Sequence, residues 1–151
     1  MTVYWLFFLT SSFFALFNGA LLFNKKIFKL FFYLLLLIFI GFRFEIGGDW
    51  NNYLEIYNNV NFSFILSYNI RGDIGYNLIE YLSNFFHLGI YGVNSFCALI
   101  FLISIHLICS LTKEYWLSFI ILLPYLIFVV SAGYTRQSVA IAFSIIGIYY
   151  L

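Results

Sequence analysis

The chain has 151 residues, of which 64% are hydrophobic and 9% are charged, and its mean hydropathy is +1.00. Soluble domains carry about 25% charged residues, so this composition excludes a soluble protein and predicts an all-α integral membrane protein. The net charge of +1 is too small to indicate a nucleic-acid partner.

Hydrophobic stretches that we expect to cross the membrane occupy residues 1–23, 27–42, 91–111, 115–131 and 138–151. The first is not a signal peptide, because no cationic residue precedes it and no small-residue cleavage site follows it. Pro124 predicts a kink in the fourth. The fifth covers about 21 Å, less than the hydrocarbon core of about 30 Å. We therefore expect a single membrane domain over 1–151 that is the amino-terminal part of a longer protein, or a truncated reading frame.

Residues 43–80 form a polar island between the second and third hydrophobic stretches. The island contains two of the chain's three arginines and five of its six acids. Residues 50–57 and 75–86 are predicted to form short amphipathic helices, because their apolar side chains recur at helical spacing. Such helices are suited to the membrane interface, with tyrosine and tryptophan at headgroup level. We expect residues 43–90 to form a loop on one side of the membrane.

Lysines and arginines fall on opposite sides of the predicted spans. The cationic turn at residues 24–29 and Lys113 lie on one side, whereas Arg43 and Arg136 lie on the other. The positive-inside rule then places the lysines in the cytoplasm and the amino terminus and polar island outside. Arginine presents planar, bidentate donors that suit phosphate and carboxylate groups, so outer arginines indicate a binding role.

Candidate residues in the island have structural as well as functional interpretations. Arg43 leaves the second span at the membrane surface, where it could reach a lipid phosphate. Asp49 and Asp73 each precede a predicted helix and would be good N-caps. Tyr53 shares a helix face with Asp49, and an acid beside tyrosines would also bind sugar hydroxyls. Glu80 lies one turn beyond Tyr76 and two turns beyond Asp73, so a paired-carboxylate site is an alternative to a solvated helix face.

Arg136 lies in a very short turn between two hydrophobic stretches, with Gln137 beside it. An arginine costs roughly 2.5–3.5 kcal/mol at the centre of a spanning helix and less near the interface. Such a residue is expected to have a partner, which could be Asp49, Asp73, Glu80 or a bound anion. We therefore favour a functional role for Arg136.

The histidines and cysteines predict no metal or cofactor site. His87, near the outer surface, could act as an acid or base, whereas His106, deep in the third span, is expected to be a packing residue. Cys97 and Cys109 are about 18 Å apart along one predicted helix and cannot bridge each other. The sequence has no metal-ligand spacing, Gly-rich phosphate loop or nucleophile elbow.

Three short motifs follow one another along the chain with the pattern R-x-x-x-G-x-D-x-x-x-Y, then D-x-G-Y, then R-Q-x-V-A. They are carried by Arg43, Gly47, Asp49 and Tyr53; by Asp73, Gly75 and Tyr76; and by Arg136, Gln137 and Ala140. In this order, and with this hydropathy, the sequence resembles the EpsG family of bacterial exopolysaccharide proteins over residues 35–145. That family is a branch of the Wzy-type polysaccharide and O-antigen polymerases.

The resemblance implies a metal-independent glycosyltransferase without cofactor at the outer face of the bacterial inner membrane. Such a polymerase transfers a growing glycan from undecaprenyl pyrophosphate to another lipid-linked repeat unit, beside a flippase and a chain-length regulator. Arg136 and Arg43 would contact pyrophosphate, and Asp49 and Asp73 would contact sugar or accept a proton. Further substrate contacts would come from Tyr53, Tyr76, Glu80, Gln137 and His87, of which Glu80 and His87 are also candidate bases.

Other classes stay open at this stage: a flippase or transporter fragment, a structural membrane subunit, or an inactive truncated product. A flippase needs charged groups along a route through the bilayer, and His106 is the only acid, base or histidine deep within a predicted span, because Lys29 lies near the end of the second span, where it can reach the headgroups. Surface chemistry is therefore favoured over transport. We expect Arg43, Asp49, Asp73 and Arg136 to converge on one pocket at the outer face.

Overall fold

The computed structural model describes residues 2–17, 26–58 and 74–151, and these residues form helices without any β-strand. The helices are α1 (Thr2–Leu16), α2 (Lys26–Gly41), α3 (Trp50–Asn58), α4 (Ile74–Phe85), α5 (Gly89–Ser110), α6 (Tyr115–Leu122) and α7 (Thr135–Tyr150). A π-helical segment, Leu123–Ser131, continues α6. The all-α prediction is therefore confirmed for the described residues.

Each predicted hydrophobic stretch is helical in its described part, the fourth as α6 and the π-helical segment together. The helices α3 and α4 match the predicted amphipathic helices of the polar island to within one residue at each end. Among the described helices, α5 alone is both long and apolar enough to cross a bilayer. The helices Thr2–Leu16 and Tyr115–Ser131 are apolar but shorter. The number of spans stays a prediction.

An aromatic cluster holds α1, α2 and α6 together in the main core. The fully buried ring of Trp116 lies 4.9 Å from Phe14, 5.4 Å from Phe32 and 5.9 Å from Phe119, measured between ring centroids. The last two pairs meet edge to face, a favoured geometry for aromatic rings. The abundant phenylalanines thus fill the space between these helices.

Pro124 marks the change from α-helix to π-helix, at the position where the sequence predicts a kink. Proline has no N–H group and its ring clashes with the preceding turn, so the regular α-helical pattern cannot continue through it. The π-helical segment ends at Ser131, and residues 132–134, of which the first two keep a helical backbone, form the short turn into α7. Arg136 is the second residue of α7.

A second core cluster docks α3 and α4 onto the first half of α5. Its buried residues are Trp50, Tyr53, Tyr76, Ile90, Val93 and Cys97. Gly92 permits close approach, because a Cβ at this position would collide with the side chains of Ser83 and Leu88. The Ser83 hydroxyl donates a hydrogen bond to the Gly89 carbonyl at 2.6 Å. The described helices of the polar island are thus fixed against the bundle.

Candidate functional site

Arg43 connects the end of α2 to the turn that precedes α7. Its Nη1 donates to the carbonyl oxygens of Ser131, at 3.3 Å, and of Ala132. Its Nη2 lies 3.5 Å from Oδ1 of Asn94 on α5. Carbonyl groups at a helix end lack partners within the helix, and the five N–H donors of arginine can satisfy several at once. With a side chain only 3% exposed, Arg43 has the geometry of a positioning residue, and its direct contact with phosphate stays a prediction.

Gly47 brings the first motif against the third. Its φ of +101° lies in a region that side chains with a Cβ rarely adopt. A Cβ at this position would collide with the Gly133 carbonyl oxygen and would lie 3.0 Å from Gly133 Cα. The loop after α2 therefore packs against the turn before Arg136, because both backbones approach closely at these glycines.

The guanidinium of Arg136 lies over two tyrosine rings. Its Cζ is 4.8 Å from the ring centroid of Tyr76 and 5.8 Å from that of Tyr53, within the range of cation–π attraction. The Tyr76 hydroxyl is 3.2 Å from Oγ1 of Thr135 at the start of α7. Nε and Nη2 of Arg136 are buried and have no hydrogen-bond partner among the described residues. Arg136 is therefore held in place by ring faces, while two of its donor atoms bind nothing in the described part of the chain.

A cavity of about 410 Å³ opens beside Arg136. It is lined by Asp49, Asn52, Tyr53, Glu55, Ile56 and Arg136. Amide, phenol and carboxylate groups from α3 thus face an arginine from α7. Polar groups of these kinds are suited to sugar hydroxyls, and the arginine to an anion.

Glu80 and Asn77 lie on the buried face of α4, and both side chains are 0% exposed. Neither the carboxylate oxygens of Glu80 nor the amide atoms of Asn77 have a hydrogen-bond partner among the described residues. Burial raises the pKa of Glu80 to about 7, and the positive charge of Arg136 opposes this shift. Glu80 is therefore poised to change charge near neutral pH next to Arg136.

Replacing Glu80 with Gln should remove a pH dependence of stability. A carboxyl whose pKa is raised from 4.5 to about 7 keeps its proton longer in the folded state, so stability falls as pH rises between these values. In detergent, the unfolding temperature of the parent chain should fall between pH 5 and pH 8. We expect this fall to be smaller for Glu80→Gln.

Glu45→Gln is the matched control, because Glu45 is an exposed carboxyl of the same polar island. It should leave the pH dependence unchanged. If the unfolding temperature depends on pH equally in the parent chain and in Glu80→Gln, Glu80 is not the group that causes this dependence.

Three of the four residues that are predicted to converge on one pocket lie in the described part of the chain. Asp49 and Arg136 line one cavity, and Arg43 binds the turn that leads to Arg136. Asp73 lies outside the described residues. The exposed side chain of Gln137 is not among those that line the cavity.

His87 has a φ of +56° and is exposed in the turn after α4, about three helical turns along the chain from Tyr76. The described structure does not bring it to the cavity, and its role as acid or base stays a prediction. Sequence reasoning missed Asn94 and Asn77. A polar amide near the start of an otherwise apolar helix was the available signal for Asn94.

The sequence model of the EpsG family matches residues 26–151, from the start of α2 through the end of α7. This range contains all the elements that build the site. No curated protein and no solved structure matches the chain. EpsG family proteins are membrane proteins, in agreement with the composition. Because the family match covers most of the sequence and includes the arginine–tyrosine site, the chain belongs to the EpsG family.

Proposed function

We propose that this chain acts in polysaccharide polymerisation, as a glycosyltransferase that moves a glycan from undecaprenyl pyrophosphate to another lipid-linked repeat unit. Membership of the EpsG family supports a polymerase-like role. The observation that carries the site assignment is a pair of Arg136 donors, Nε and Nη2, that have no hydrogen-bond partner within residues 2–17, 26–58 and 74–151, on a guanidinium held over Tyr53 and Tyr76 beside a polar cavity. Arginine with free planar donors is the side chain best suited to a pyrophosphate.

In the proposed step, an acceptor hydroxyl oxygen forms a bond to the anomeric carbon of the donor glycan. The bond between that carbon and the pyrophosphate oxygen breaks, and undecaprenyl pyrophosphate leaves with the electron pair. Arg136 stabilises the negative charge that develops on the leaving oxygen. The hydroxyl proton passes to a carboxylate, which need only lie within hydrogen-bond reach of the acceptor.

Asp49 and Glu80 have different places in this scheme. Asp49 is partly exposed and lines the cavity, so the proposal places it against the acceptor sugar as the base. Glu80 is fully buried near Arg136, so we place it as the group that balances the guanidinium charge. Asp73 remains a further candidate for sugar contact.

The cavity face of α3 should bind the acceptor sugar. Asn52 and Asn51 are both exposed amides on this helix, but Asn52 lines the cavity and Asn51 does not. Loss of one hydrogen bond to a sugar costs about 1 kcal/mol, or roughly fivefold in affinity. We expect Asn52→Ala to raise the KM for the acceptor by about that factor, and Asn51→Ala to leave it unchanged. Equal KM values for the two variants would contradict the placement of the sugar.

The distribution of charge along the bundle supports the proposed orientation, with the site at the outer face of the inner membrane and the amino terminus outside. Lys26 and Lys29 lie in the first turns of α2, and Arg43 follows its last residue, Gly41. The sixteen residues of α2 separate these ends by about 24 Å. Lysines at one end and arginines at the other are what a positive-inside protein with an outer anion site requires.

The test is a reconstitution in which the chain in proteoliposomes receives a purified undecaprenyl-pyrophosphate-linked repeat unit. Polymerisation predicts a ladder of longer glycans on a gel, together with release of undecaprenyl pyrophosphate. Movement of the repeat unit across the bilayer without chain growth would support a flippase instead. Neither growth nor movement would indicate a non-enzymatic subunit.

A further inference from the structure

A second and larger cavity lies at the lysine end of the bundle, between α2 and the second half of α5. Its volume is about 980 Å³, in the range of small-molecule sites. Its wall is formed by leucine and isoleucine side chains, which include Leu30, Leu34, Leu37, Leu99, Leu102 and Ile103. This lysine-end groove shares no lining residue with the arginine site.

Three of the chain's four lysines lie at the edge of this apolar wall. Lys26 and Lys29 come from α2, and Lys113 comes from the turn after α5. None of the described residues that line the groove is acidic. The hydroxyls of Ser110 and Thr112 lie in the same rim and can donate hydrogen bonds. The rim is therefore complementary to an anion.

A hydrogen-bonded network fixes the inner side of the rim. The Tyr115 hydroxyl donates to the Tyr33 hydroxyl at 2.8 Å and lies 2.7 Å from Nδ1 of His106. Nζ of Lys29 is 3.8 Å from the centroid of the Tyr115 ring. Because this ring is held by two partners, the ammonium group of Lys29 has a defined position, as a built binding site requires.

The length of the groove identifies the kind of molecule that fits. The lining residues of α2 extend from Lys26 to Leu37, which corresponds to about 17 Å along a helix. Half of a hydrocarbon core of about 30 Å is about 15 Å. An anionic head at the lysines and an apolar chain along the leucines therefore match one leaflet of a bilayer in both charge and length.

We propose that the lysine-end groove is a binding site for one anionic phospholipid of the bilayer. The phosphate lies among Lys26, Lys29 and Lys113, and an acyl chain lies along the wall that ends near Leu37 and Leu99. This site is separate from the proposed glycan site and does not depend on its activity. It ties α2 to α5 and to the turn that follows α5, since its lining residues come from all three.

The experiment measures lipid retention by native mass spectrometry on the chain purified in neutral detergent. Phosphatidylglycerol, phosphatidylcholine and inorganic phosphate are titrated separately. We expect saturable binding of one phosphatidylglycerol, with phosphatidylcholine at least tenfold weaker. Each lysine near an anionic headgroup contributes about fivefold in affinity, so Lys113→Gln combined with Lys29→Gln should weaken binding by about 25-fold.

The single variant Lys113→Gln controls for misfolding of the double variant, because the Lys113 side chain is exposed and its replacement should not disturb the fold. It should weaken phosphatidylglycerol binding by about fivefold. Ile103→Trp fills the apolar wall and should abolish binding while keeping all the lysines. Leu117→Trp is its matched control, since Leu117 is similarly exposed, 53% against 48%, but does not line the groove.

Equal binding of phosphatidylglycerol and phosphatidylcholine would overturn the proposal, as would unchanged binding in both Lys113→Gln and Ile103→Trp. Retention of inorganic phosphate with the affinity of phosphatidylglycerol would also overturn it, because the apolar wall would then contribute nothing.

Discussion

Replacement of Arg136 with Ala should abolish polymer formation while leaving the chain folded. Loss of one preorganised donor to a developing oxyanion lowers kcat by about 100-fold to 1000-fold. Arg136 offers two buried donors without described partners, so we expect a loss of at least about 100-fold. The measurement is the rate of ladder growth in proteoliposomes, with the unfolding temperature recorded for the same preparation.

Arg136→Lys separates charge from geometry. Lysine keeps the positive charge but loses the planar fork, so the rate should recover only in part. The ammonium group of lysine can make cation–π contacts with Tyr53 and Tyr76 in place of the guanidinium. The stability of this variant should therefore be close to that of the parent chain. An unchanged polymer ladder in a well-folded Arg136→Ala protein would refute the assigned role of this arginine.

Replacement of Gly47 with Ala should lower both stability and activity. The new methyl group would meet the Gly133 carbonyl, and the φ of +101° is strained for alanine. Backbone strain of this kind lowers the free energy of unfolding by about 1–3 kcal/mol, and the steric clash adds to this loss. The turn before α7 must then move, and Arg136 moves with it. We expect a lower unfolding temperature and a loss of polymerisation, measured on the same purified protein.

Gly48→Ala is the matched control, because a Cβ at Gly48 meets nothing within 4 Å. The two glycines are neighbours in one loop, so the substitutions differ in packing and backbone strain rather than in composition. Gly48→Ala should retain near-normal stability and activity. Equal behaviour of the two variants would show that the contact between residues 47 and 133 does not position the site.

Much of the secondary structure could be predicted because it depends on local pattern. The amphipathic helices of the polar island are visible in the spacing of apolar residues, and α3 and α4 begin and end within one residue of the predicted positions. Pro124 indicates a break in the fourth stretch because proline removes a backbone donor. The change to a π-helix was not predictable, since it depends on how the freed carbonyls find other partners.

The candidate site could be predicted as a set of residues but not as an arrangement. Arg136 stands out in the sequence because an arginine is costly between two apolar stretches. Arg43 looks similar at that level, as an arginine at a helix end. Its hydrogen bonds to carbonyl groups 88 and 89 residues away depend on the orientation of a distant turn. Tertiary structure therefore distinguishes Arg43, which binds the carbonyl groups of a distant turn, from Arg136, whose Nε and Nη2 bind no group in the part of the chain that the structure describes.

The sequence by itself determined that the chain is helical and apolar and that it resembles the EpsG family, and it predicted that the charges divide into a lysine side and an arginine side. These properties follow from composition, periodicity and local motifs. Only the tertiary structure decided that Arg136 lies over Tyr53 and Tyr76, that Glu80 is buried, and that a groove runs beside the lysines. The physical reason is that burial, cation–π contact and cavity shape arise from helix packing between residues distant in the chain.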